Sequence, residues 1–559
     1  MTLPLLAGAV LVVLGLGYRL YGGFVARQYN LSPDAQTPAT KVNDGVDFVP
    51  TRPFYLLGQH FSAIAAAGPI AGPILACKQF GWGPAILWIA LGVVFIGAVH
   101  DLSTLIASVR HEGKSIAEVV KTNLGPGAGV TMLAFIWVAL VYVIVAFADV
   151  TAGTFVSGDA DLKGMEFAFN PGGAVAMSSV LYLLLAVVMG FVEKFFKPPL
   201  WLQTVIFVPA TLGAVWLGTQ LSTIFILPPK AWTVIILAYC FVASLVPVWT
   251  LLQPRGYLGG FVLYLALAAG TIGLFFGGFD IQQPAFRGFG APGASLFPFL
   301  FVTIACGACS GFHGLVCSGT TSKQIAKETH VHPVGYGAML LEAFVALIAL
   351  GTIMIVSSAD TAGKGPGTIY GEGLGRFVTV LIGNKHLAFA TTFGAMAFST
   401  FVFDTLDVST RLGRYIVQEL FGWKGRAGAL LATGLTVGVP LVFVLASSSG
   451  AYLMFWTLFG TSNQLLAALS LMGVSVWLKN SGKRYWYVFW PMVFVSVVTL
   501  SSLVLQIKAG LVFGEPVPPL QRINAVVAAV LLVMASGILA YGVKALMSPG
   551  TPQPRADVA

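Results

Sequence analysis

Charged side chains are scarce in this chain: Asp, Glu, Lys and Arg make up 9% of its 559 residues, whereas soluble domains carry roughly 25%. Hydrophobic residues make up 57%, and the mean hydropathy is +0.87. The net charge of +9 is not gathered into a basic cluster with interleaved aromatics, because the Lys and Arg stand singly between apolar runs. The composition therefore predicts an all-α polytopic membrane protein, with membrane lipid and no nucleic acid among its partners.

Motifs that would supply energy or redox chemistry are also missing. No G-x-x-x-x-G-K-[ST] occurs, because Ser108 stands where Gly113-Lys114-Ser115 needs its first glycine. There is no C-x-x-C-H haem site, no H-E-x-x-H zinc site and no Arg-rich voltage-sensor helix. We therefore expect no catalytic residue, no enzymatic activity and no cofactor, and transport driven by an ion gradient.

Cysteine is rare, and its placement favours buried, reduced thiols over disulfides. Cys306, Cys309, His313 and Cys317 share one helical face, but eleven residues of helix rise about 16 Å, too far for the ligands of one zinc ion. We expect no metal site, with the alternative that three of these residues assist distant ligands. All five cysteines lie in apolar segments: Cys77, Cys240, Cys306, Cys309 and Cys317.

The apolar runs predict about fifteen transmembrane helices, since a span needs about 20 residues. The N-terminal run lacks the positive region and cleavage site of a signal peptide, so we expect it to be retained. The runs are 3–25, 54–77, 83–108, 127–152, 173–192, 200–219, 231–250, 257–278, 296–320, 334–357, 386–410, 427–447, 450–478, 486–507 and 521–545. With this count, twenty-one of the 30 Lys and Arg fall on one side, which predicts a cytoplasmic C-terminus and an N-terminus outside.

Two of these runs are interrupted in the same way. Residues 60–77 read HFSAIAAAGPIAGPILAC, and residues 301–321 read FVTIACGACSGFHGLVCSGTT. Irregular backbone persists inside a membrane only where protein or a water-filled cavity satisfies it, and paired breaks indicate the substrate site of a secondary transporter. The predicted substrate-binding residues are Ser62, Gly68, Gly72, Gly307, Ser310, Gly311 and His313.

The topology makes the two interrupted runs antiparallel, as an inverted repeat requires. We therefore predict a five-plus-five inverted repeat with two unwound helices, plus peripheral helices. The parts are an N-terminal helix and cytoplasmic loop (1–53), the first repeat (54–219), an inserted helix pair (220–295), the second repeat (296–480) and C-terminal peripheral helices with a tail (481–559).

Acids within apolar runs are candidates for ion coupling, because an intramembrane charge is costly. Asp404 and Asp407 are three residues apart and share a helix face, and Ser399, Thr400 and Thr405 add hydroxyl oxygens nearby. Such oxygens suit Na⁺, and a carboxylate suits a transported proton. The predicted coupling ion is H⁺, with Na⁺ as the alternative.

A structural role for these two acids is the competing interpretation. Both lie near the expected cytoplasmic end of their helix, where Arg411 and Arg414 follow. The i+4 spacing from Asp407 to Arg411 makes an ion pair easy.

Histidines accompany other acids. His100 and Asp101 could relay protons near neutral pH, although adjacent residues on a helix do not face each other, so a structural role is equally expected. Glu342 is predicted to be a packing or cavity-rim residue. His313, in the second interrupted run, is predicted to donate to an anionic substrate, and the alternative is a packed imidazole bonded to a freed carbonyl.

Several segments together resemble the carbon starvation protein A (CstA) family, and the resemblance covers about residues 1–510. The segments are GQHFSAIAAAGPIAGPILA, GAVHDLSTLIASVRHEGKSIAEV, FVTIACGACSGFHGLVCSGTTSKQIAKE, FDTLDVSTRLGRYIVQEL and FGTSNQLLAALSL. The resemblance implies a bacterial inner-membrane transporter with a leucine-transporter-like core, and either pyruvate uptake by proton symport or peptide uptake. It also implies that residues 386–410 form the eighth core helix, where Asp404 would be a charged departure suggestive of proton coupling.

Three functions are therefore weighed. We expect import of a small organic nutrient, with pyruvate or a related monocarboxylate by proton symport first and peptide import second. Peptide import would need a larger cavity and a counter-charge for the amine, from Glu342 or Asp404. An uncoupled channel or a membrane-embedded nutrient sensor ranks lower, because the longest polar stretch, residues 27–52, is too short for a soluble output domain.

Overall fold

The computed structural model describes residues 2–45, 47–65, 67–156, 158, 168–291, 294–447, 451–511 and 517–548. Within these ranges the chain is helical apart from its connecting loops and one antiparallel pair of two-residue strands, β1 (Gly290–Ala291) and β2 (Ala294–Ser295). The helices, in chain order, are α1 (Leu3–Gln28), α2 (Pro38–Val42), α3 (Pro53–Ile64), α4 (Gly68–Phe80), α5 (Trp82–Arg110), α6 (Ile116–Leu124), α7 (Pro126–Phe155), α8 (Pro171–Phe196), α9 (Leu200–Gln220), α10 (Pro229–Leu245), α11 (Leu252–Phe276), α12 (Leu296–Thr303), α13 (Gly311–Gly319), α14 (Glu328–Met354), α15 (Pro366–Ile382), α16 (Leu387–Phe421), α17 (Gly425–Ala446), α18 (Tyr452–Asn480), α19 (Trp486–Gly510) and α20 (Pro519–Met547).

The polytopic all-α fold is confirmed. In the described part of the chain, eleven helices are long and apolar enough to cross a membrane, or twelve if α3 and α4, which meet at 48°, form one bent span. The other three expected runs are the 17-residue α10, the pair α12 and α13, and the 29-residue α18. All fifteen runs thus fall on helices, and the number that span the membrane stays a prediction.

Two helix boundaries differ from the expected ones in ways that affect the site. The run expected at 386–410 continues to Phe421, so Asp404 and Asp407 lie inside a helix of 35 residues rather than near its end. The helix expected to begin at 257 begins at Leu252, which places Arg255 in its first turn instead of in a loop. Arg255 is 1% exposed, so it belongs to the interior of the protein.

Helix α15 lies where the sequence predicted no helix. It has 17 residues and includes Glu372 and Arg376, so its composition is not that of a span. Lys364 and Arg376 each approach Glu372 to 2.8 Å, and Gly371 packs on the first turns of α16 at Ala395. These ion pairs and the close glycine contact explain how a polar helix is buried here.

Three helices contain wide π-helical turns that contact one another. The turns are Gly17–Gly22 in α1, Trp88–Gly97 in α5 and His332–Gly337 in α14. The hydroxyl of Tyr336 donates to the carbonyl of Val94 at 2.8 Å and lies 3.4 Å from that of Gly17. A π-helical turn leaves carbonyls without their usual helical partner, and Tyr336 satisfies these while tying α1, α5 and α14 together.

The helix breaks lie beside the expected Gly-Pro pairs rather than at them. Helix α3 ends at Ile64 and α4 begins at Gly68, so Gly68 and Pro69 form its first turn, and Gly72 and Pro73 lie within it. Proline is tolerated in a first helical turn because its missing N–H would have no helical partner there. The second break is residues 304–310, which include Gly307, whereas Gly311 and Gly314 belong to α13.

The two broken segments cross each other at close range. A Cβ on Gly72 would lie 2.7 Å from the carbonyl oxygen of Thr303, and one on Gly68 would overlap the side chain of Cys306. Gly307 in turn lies against Pro69. Gly72 is therefore needed because a side chain would meet the backbone at Thr303, and Gly68 leaves room for the side chain of Cys306.

This crossing predicts that Gly72→Ala destabilises the protein. The added methyl group meets backbone at Thr303, which cannot turn away, and overpacking of this kind costs about 1–3 kcal/mol. The measurement is the thermal unfolding midpoint of the detergent-purified protein, which should fall by several degrees. Gly213→Ala in α9, where nothing lies within 4 Å of the added Cβ, is the control and should match wild type; equal midpoints for both variants would contradict the close crossing.

Candidate functional site

Side chains from neighbouring helices donate hydrogen bonds to the backbone carbonyls that lose their helical partners where α12 ends. Trp88 and Gln464 both donate to the carbonyl of Phe301, at 3.2 and 2.8 Å, and Trp456 donates to that of Thr303 at 3.2 Å. In a membrane an unpaired backbone carbonyl costs several kcal/mol. These three donors therefore permit the helix to stop in the middle of the bundle.

Asn463 of α18 fills the second break from the other side. Its Oδ1 accepts from the backbone N–H of Phe312 at 2.8 Å, and its Nδ2 donates to Ser310 Oγ at 3.0 Å and to Cys306 Sγ at 3.3 Å. One backbone N–H in the first turn of the half-helix α13 is thus bonded to a protein side chain.

Six of the seven predicted substrate-binding residues, all except His313, are distributed over three environments. Gly68, Gly72 and Gly307 serve the crossing described above, and Gly311 packs against the backbone of Asn463. Ser310 bonds to Asn463, while Ser62 lies on α3 facing Gly260 of α11. The close packing accounts for the glycines, and the binding role of these residues stays a prediction.

His313 lies between two carboxylates from different helices. Its Nδ1 is 2.9 Å from Asp101 Oδ2 of α5, and its Nε2 is 3.1 Å from Glu342 Oε2 of α14. His100 completes the row, with Nδ1 2.8 Å from Asp101 Oδ1. All four side chains are 0% exposed. We call Glu342, His313, Asp101 and His100 the acid–histidine network.

The acid–histidine network revises one expectation. His100 and Asp101 were not expected to face each other, yet their side chains turn together and bond, because Asp101 sits between two imidazoles. Glu342 is fully buried and faces His313, and its role as a packing or rim residue stays a prediction. The acid–histidine network thus gathers two carboxylates and two imidazoles from α5, α13 and α14 in one buried row.

His60 and Cys317 lie at the edge of this network. His60 Nδ1 is 2.9 Å from Thr321 Oγ1, its Nε2 is 3.8 Å from Cys317 Sγ, and Cys317 Sγ is 3.6 Å from the carbonyl of Asp101. All five cysteines are buried and free. Among the described residues no group of three or more His, Cys, Asp or Glu is placed to hold a metal ion.

A second buried cluster joins α16 to the inserted helix pair. Arg255 of α11 approaches Asp404 Oδ1 at 2.6 Å and Asp407 Oδ2 at 2.7 Å. The hydroxyl of Tyr239, on α10, donates to Asp407 Oδ2 at 2.7 Å, and that of Tyr182 donates to the carbonyl of Arg255. We call this set the Arg255 cluster; its two carboxylates exceed its one guanidinium by one negative charge.

Arg411, which the sequence suggested as an ion-pair partner of Asp407, bonds to other groups. Arg411 donates to the carbonyls of Ala243 and Val246 at the end of α10, at 2.8 and 2.9 Å, so the expected pair with Asp407 does not form. The deeper position of the aspartates in the long α16 explains this, because it brings them level with Arg255.

The hydroxyls expected as cation ligands are not gathered around Asp404. Thr405 bonds to the carbonyl of Phe401 at 3.2 Å, Thr400 lies 3.1 Å from Met396 Sδ, and Ser399 bonds to Ser179 Oγ at 2.8 Å. Each hydroxyl thus has a partner on its own or a neighbouring helix.

Comparison with known proteins gives the family. Residues 2–363 and 355–502 match the family described as carbon starvation protein CstA. This chain belongs to the CstA family. "Peptide transporter CstA" of Campylobacter jejuni is 34% identical over 88% of this chain and 78% of that protein, and "Peptide transporter CstA" of Bacillus subtilis is 34% identical over 85% of each. "Pyruvate/proton symporter BtsT" of Escherichia coli is 29% identical over 88% of this chain and 80% of its own length.

The CstA relatives establish that the chain is a multi-span membrane transporter. Its structure also aligns with that of a manganese transporter from Eremococcus coleocola, at a TM-score of 0.44 and 14% identity, over 90% of this chain and 99% of the other.

Three residues of this CstA-family site were missed from the sequence. Asn463 stands in FGTSNQLLAALSL, where a run of four polar residues inside a long apolar run was a usable signal. Arg255 was assigned to a loop because the preceding run was extended past Leu245, where α10 ends. Tyr239 gave no signal, since a tyrosine in an apolar helix is ordinary packing.

The Arg255 cluster predicts that removing the arginine alone lowers the stability of the protein strongly. Arg255→Gln leaves the buried Asp407 and the partly exposed Asp404 without a cation, and breaking a buried pair costs about 3–5 kcal/mol. The triple variant Arg255→Gln/Asp404→Asn/Asp407→Asn removes the charges together and should recover most of the thermal stability in detergent.

The control for that experiment is Arg426→Gln, which removes an exposed arginine at the start of α17 and should leave the unfolding midpoint unchanged. Equal stability of the single Arg255 variant and wild type would contradict the cluster.

Proposed function

We propose that this chain imports a small organic nutrient together with protons, by alternating access at the two broken helices. The observation that supports the proposal is the acid–histidine network. His313 lies on the half-helix that follows the second break, and its two acidic partners lie on α5 and α14. A titratable group at that position joins a broken helix to the helices around it.

Proton binding and helix movement are linked through this arrangement. A buried carboxylate is costly without a cation, so the contacts of His313 with Asp101 and Glu342 depend on how many protons the three groups hold. A ligand shifts a conformational equilibrium by its difference in affinity for the two states. The proton is the ligand in this case, and its binding to the acid–histidine network favours one position of α13.

The Arg255 cluster is proposed as a second proton site. Asp404 is 18% exposed, whereas Asp407 and Arg255 are 1% exposed, so Asp404 is the carboxylate that a proton reaches. The excess negative charge of the cluster favours uptake of one proton or cation. H⁺ rather than Na⁺ is favoured because Ser399, Thr400 and Thr405 have other partners.

Two substrate classes fit this proposal. A short peptide is supported by relatives at 34% identity that are named peptide transporters, and pyruvate is supported by the relative named a pyruvate/proton symporter. Both substrates carry a carboxylate, and a peptide adds an amine for which Asp404 is the exposed counter-charge.

We propose the same membrane arrangement that the sequence predicts. The chain lies in the bacterial inner membrane with its N-terminus outside and its C-terminus in the cytoplasm, because the side with twenty-one Lys and Arg is the cytoplasmic one. The segments 54–219 and 296–480 form the two inverted repeats, which is consistent with one break in each.

Uptake into proteoliposomes tests the transport proposal. Labelled pyruvate and a labelled dipeptide are supplied with and without an inward proton gradient, and at least one should accumulate above its equilibrium level only when the gradient is present. A protonophore should abolish the accumulation. Equilibration without accumulation would indicate a channel, and binding without uptake would indicate a sensor; either result contradicts the proposal.

Neutral variants test which carboxylates couple protons to transport. Glu342→Gln and Asp404→Asn should each lower gradient-driven accumulation by about tenfold, a coupling of ordinary size. Substrate counterflow at equal pH should persist because it requires no net proton movement.

A matched control separates coupling from folding. Asp280→Asn changes an exposed acid after α11 that belongs to neither cluster, and it should accumulate substrate as wild type does. Unchanged accumulation in Asp404→Asn would remove Asp404 from the coupling mechanism, and unchanged accumulation in Glu342→Gln would remove the acid–histidine network.

A further inference from the structure

A cavity outside both buried clusters opens where α8, α9 and α11 meet. Its volume is about 350 Å³, within the range of roughly 300–1,000 Å³ that small-molecule sites occupy. It lies at the end of the bundle where α8 finishes and α9 begins, on the side that carries the excess of Lys and Arg. The lining residues are Gly190, Glu193, Lys194, Lys197, Pro198, Gln203, Trp249 and Gln253.

The charged lining suits a phosphate group. Lys194 and Lys197 provide two ammonium groups against the one carboxylate of Glu193. Lys194 Nζ lies 5.3 Å from the centre of the Trp249 ring, so the cation is held over an aromatic face. The net positive lining favours an anionic ligand. Because the carboxylate of Glu193 accepts hydrogen bonds, it favours an anion that also carries hydrogen-bond donors.

Gln203 supplies an independent indication of a ligand. The residue is 3% exposed, and its Nε2 donates to the carbonyl of Pro198 at 3.1 Å. Its Oε1 is buried with no hydrogen-bond partner among the described residues. A buried acceptor without a donor costs about 1–3 kcal/mol. Because Gln203 lines the cavity, a small rotation of its side chain would let a ligand hydroxyl donate to Oε1 and remove this cost.

The surroundings of the cavity place it at the membrane surface. The side chains next to it are large, apolar and exposed: Phe195 at 68%, Phe196 at 79% and Trp201 at 66%. Such residues are stable when exposed at the level of lipid chains and head groups. Basic pockets between helices on the cytoplasmic side are suited to anionic lipid head groups.

We propose that this cavity binds the head group of an anionic glycerophospholipid that carries hydroxyls, the chemistry of phosphatidylglycerol. The phosphate lies between Lys194 and Lys197, a head-group hydroxyl donates to Gln203 Oε1, and the acyl chains run along Phe195, Phe196 and Trp201. The site is independent of the transport proposal, because it uses none of the residues assigned to coupling.

The test is lipid binding by the full-length protein, measured by native mass spectrometry and by thermal unfolding. Phosphatidylglycerol, phosphatidic acid and phosphatidylcholine are compared, with free glycerol 3-phosphate as a soluble probe. Wild type should retain phosphatidylglycerol and be stabilised by it more than by the other lipids. Lys194→Gln/Lys197→Gln should weaken its retention by about tenfold or more, as expected for the loss of two lysines near the membrane surface.

Two further variants make the result specific. Lys424→Gln/Lys544→Gln removes two exposed lysines at the same predicted end and should bind as wild type does. Gln203→Leu should keep phosphate-dependent binding but lose the preference for phosphatidylglycerol over phosphatidic acid.

Several results would overturn the proposal. They are equal binding of phosphatidylcholine, equal loss in the Lys424/Lys544 control, or no loss in the Lys194/Lys197 variant. Equal stabilisation by free glycerol 3-phosphate would show a site for a soluble phosphate ester rather than for a lipid. Size-exclusion profiles that match wild type establish that each variant is folded.

Discussion

The requirement that every buried backbone N–H and C=O finds a partner governs this structure. A helix that stops inside an apolar bundle exposes carbonyls at one side of the break and N–H groups at the other. Trp88, Trp456 and Gln464 satisfy the carbonyls, and Asn463 satisfies the other side. Because these donors come from α5 and α18, the broken helix is tied to the helices that surround it, and its position depends on theirs.

Buried ionisable side chains also need partners, and a buried charge without one costs more free energy than an unpaired backbone group. The acid–histidine network brings together three helices, and the Arg255 cluster brings the inserted pair α10 and α11 against α16. The inserted pair is therefore not peripheral to the site, since it supplies the cation that allows two aspartates to be buried. The Arg255 cluster holds two carboxylates and one guanidinium, so it does not reach neutrality without a proton or another cation.

Local features of this fold could be predicted from the sequence, and tertiary partners could not. Fifteen apolar runs coincide with helices because run length is a local property, and the two breaks, between the helices that end at Ile64 and begin at Gly68 and at residues 304–310, fall within a few residues of the Gly and Pro signals. The pairing of Asp407 with Arg255 depends on which helices pack together, and the sequence suggested Arg411 instead. Helix α15 was missed because its acid and arginine resemble a loop until Lys364 and Arg376 are seen to neutralise Glu372.

The central claim is that transport of the nutrient moves protons through the buried carboxylates. The most direct measurement is the internal pH of proteoliposomes, recorded with a trapped pH-sensitive dye, when substrate is added outside at equal pH on both sides. The account predicts acidification of the interior that depends on substrate and is lost in Glu342→Gln. Substrate entry at the wild-type rate with no change in internal pH would contradict it.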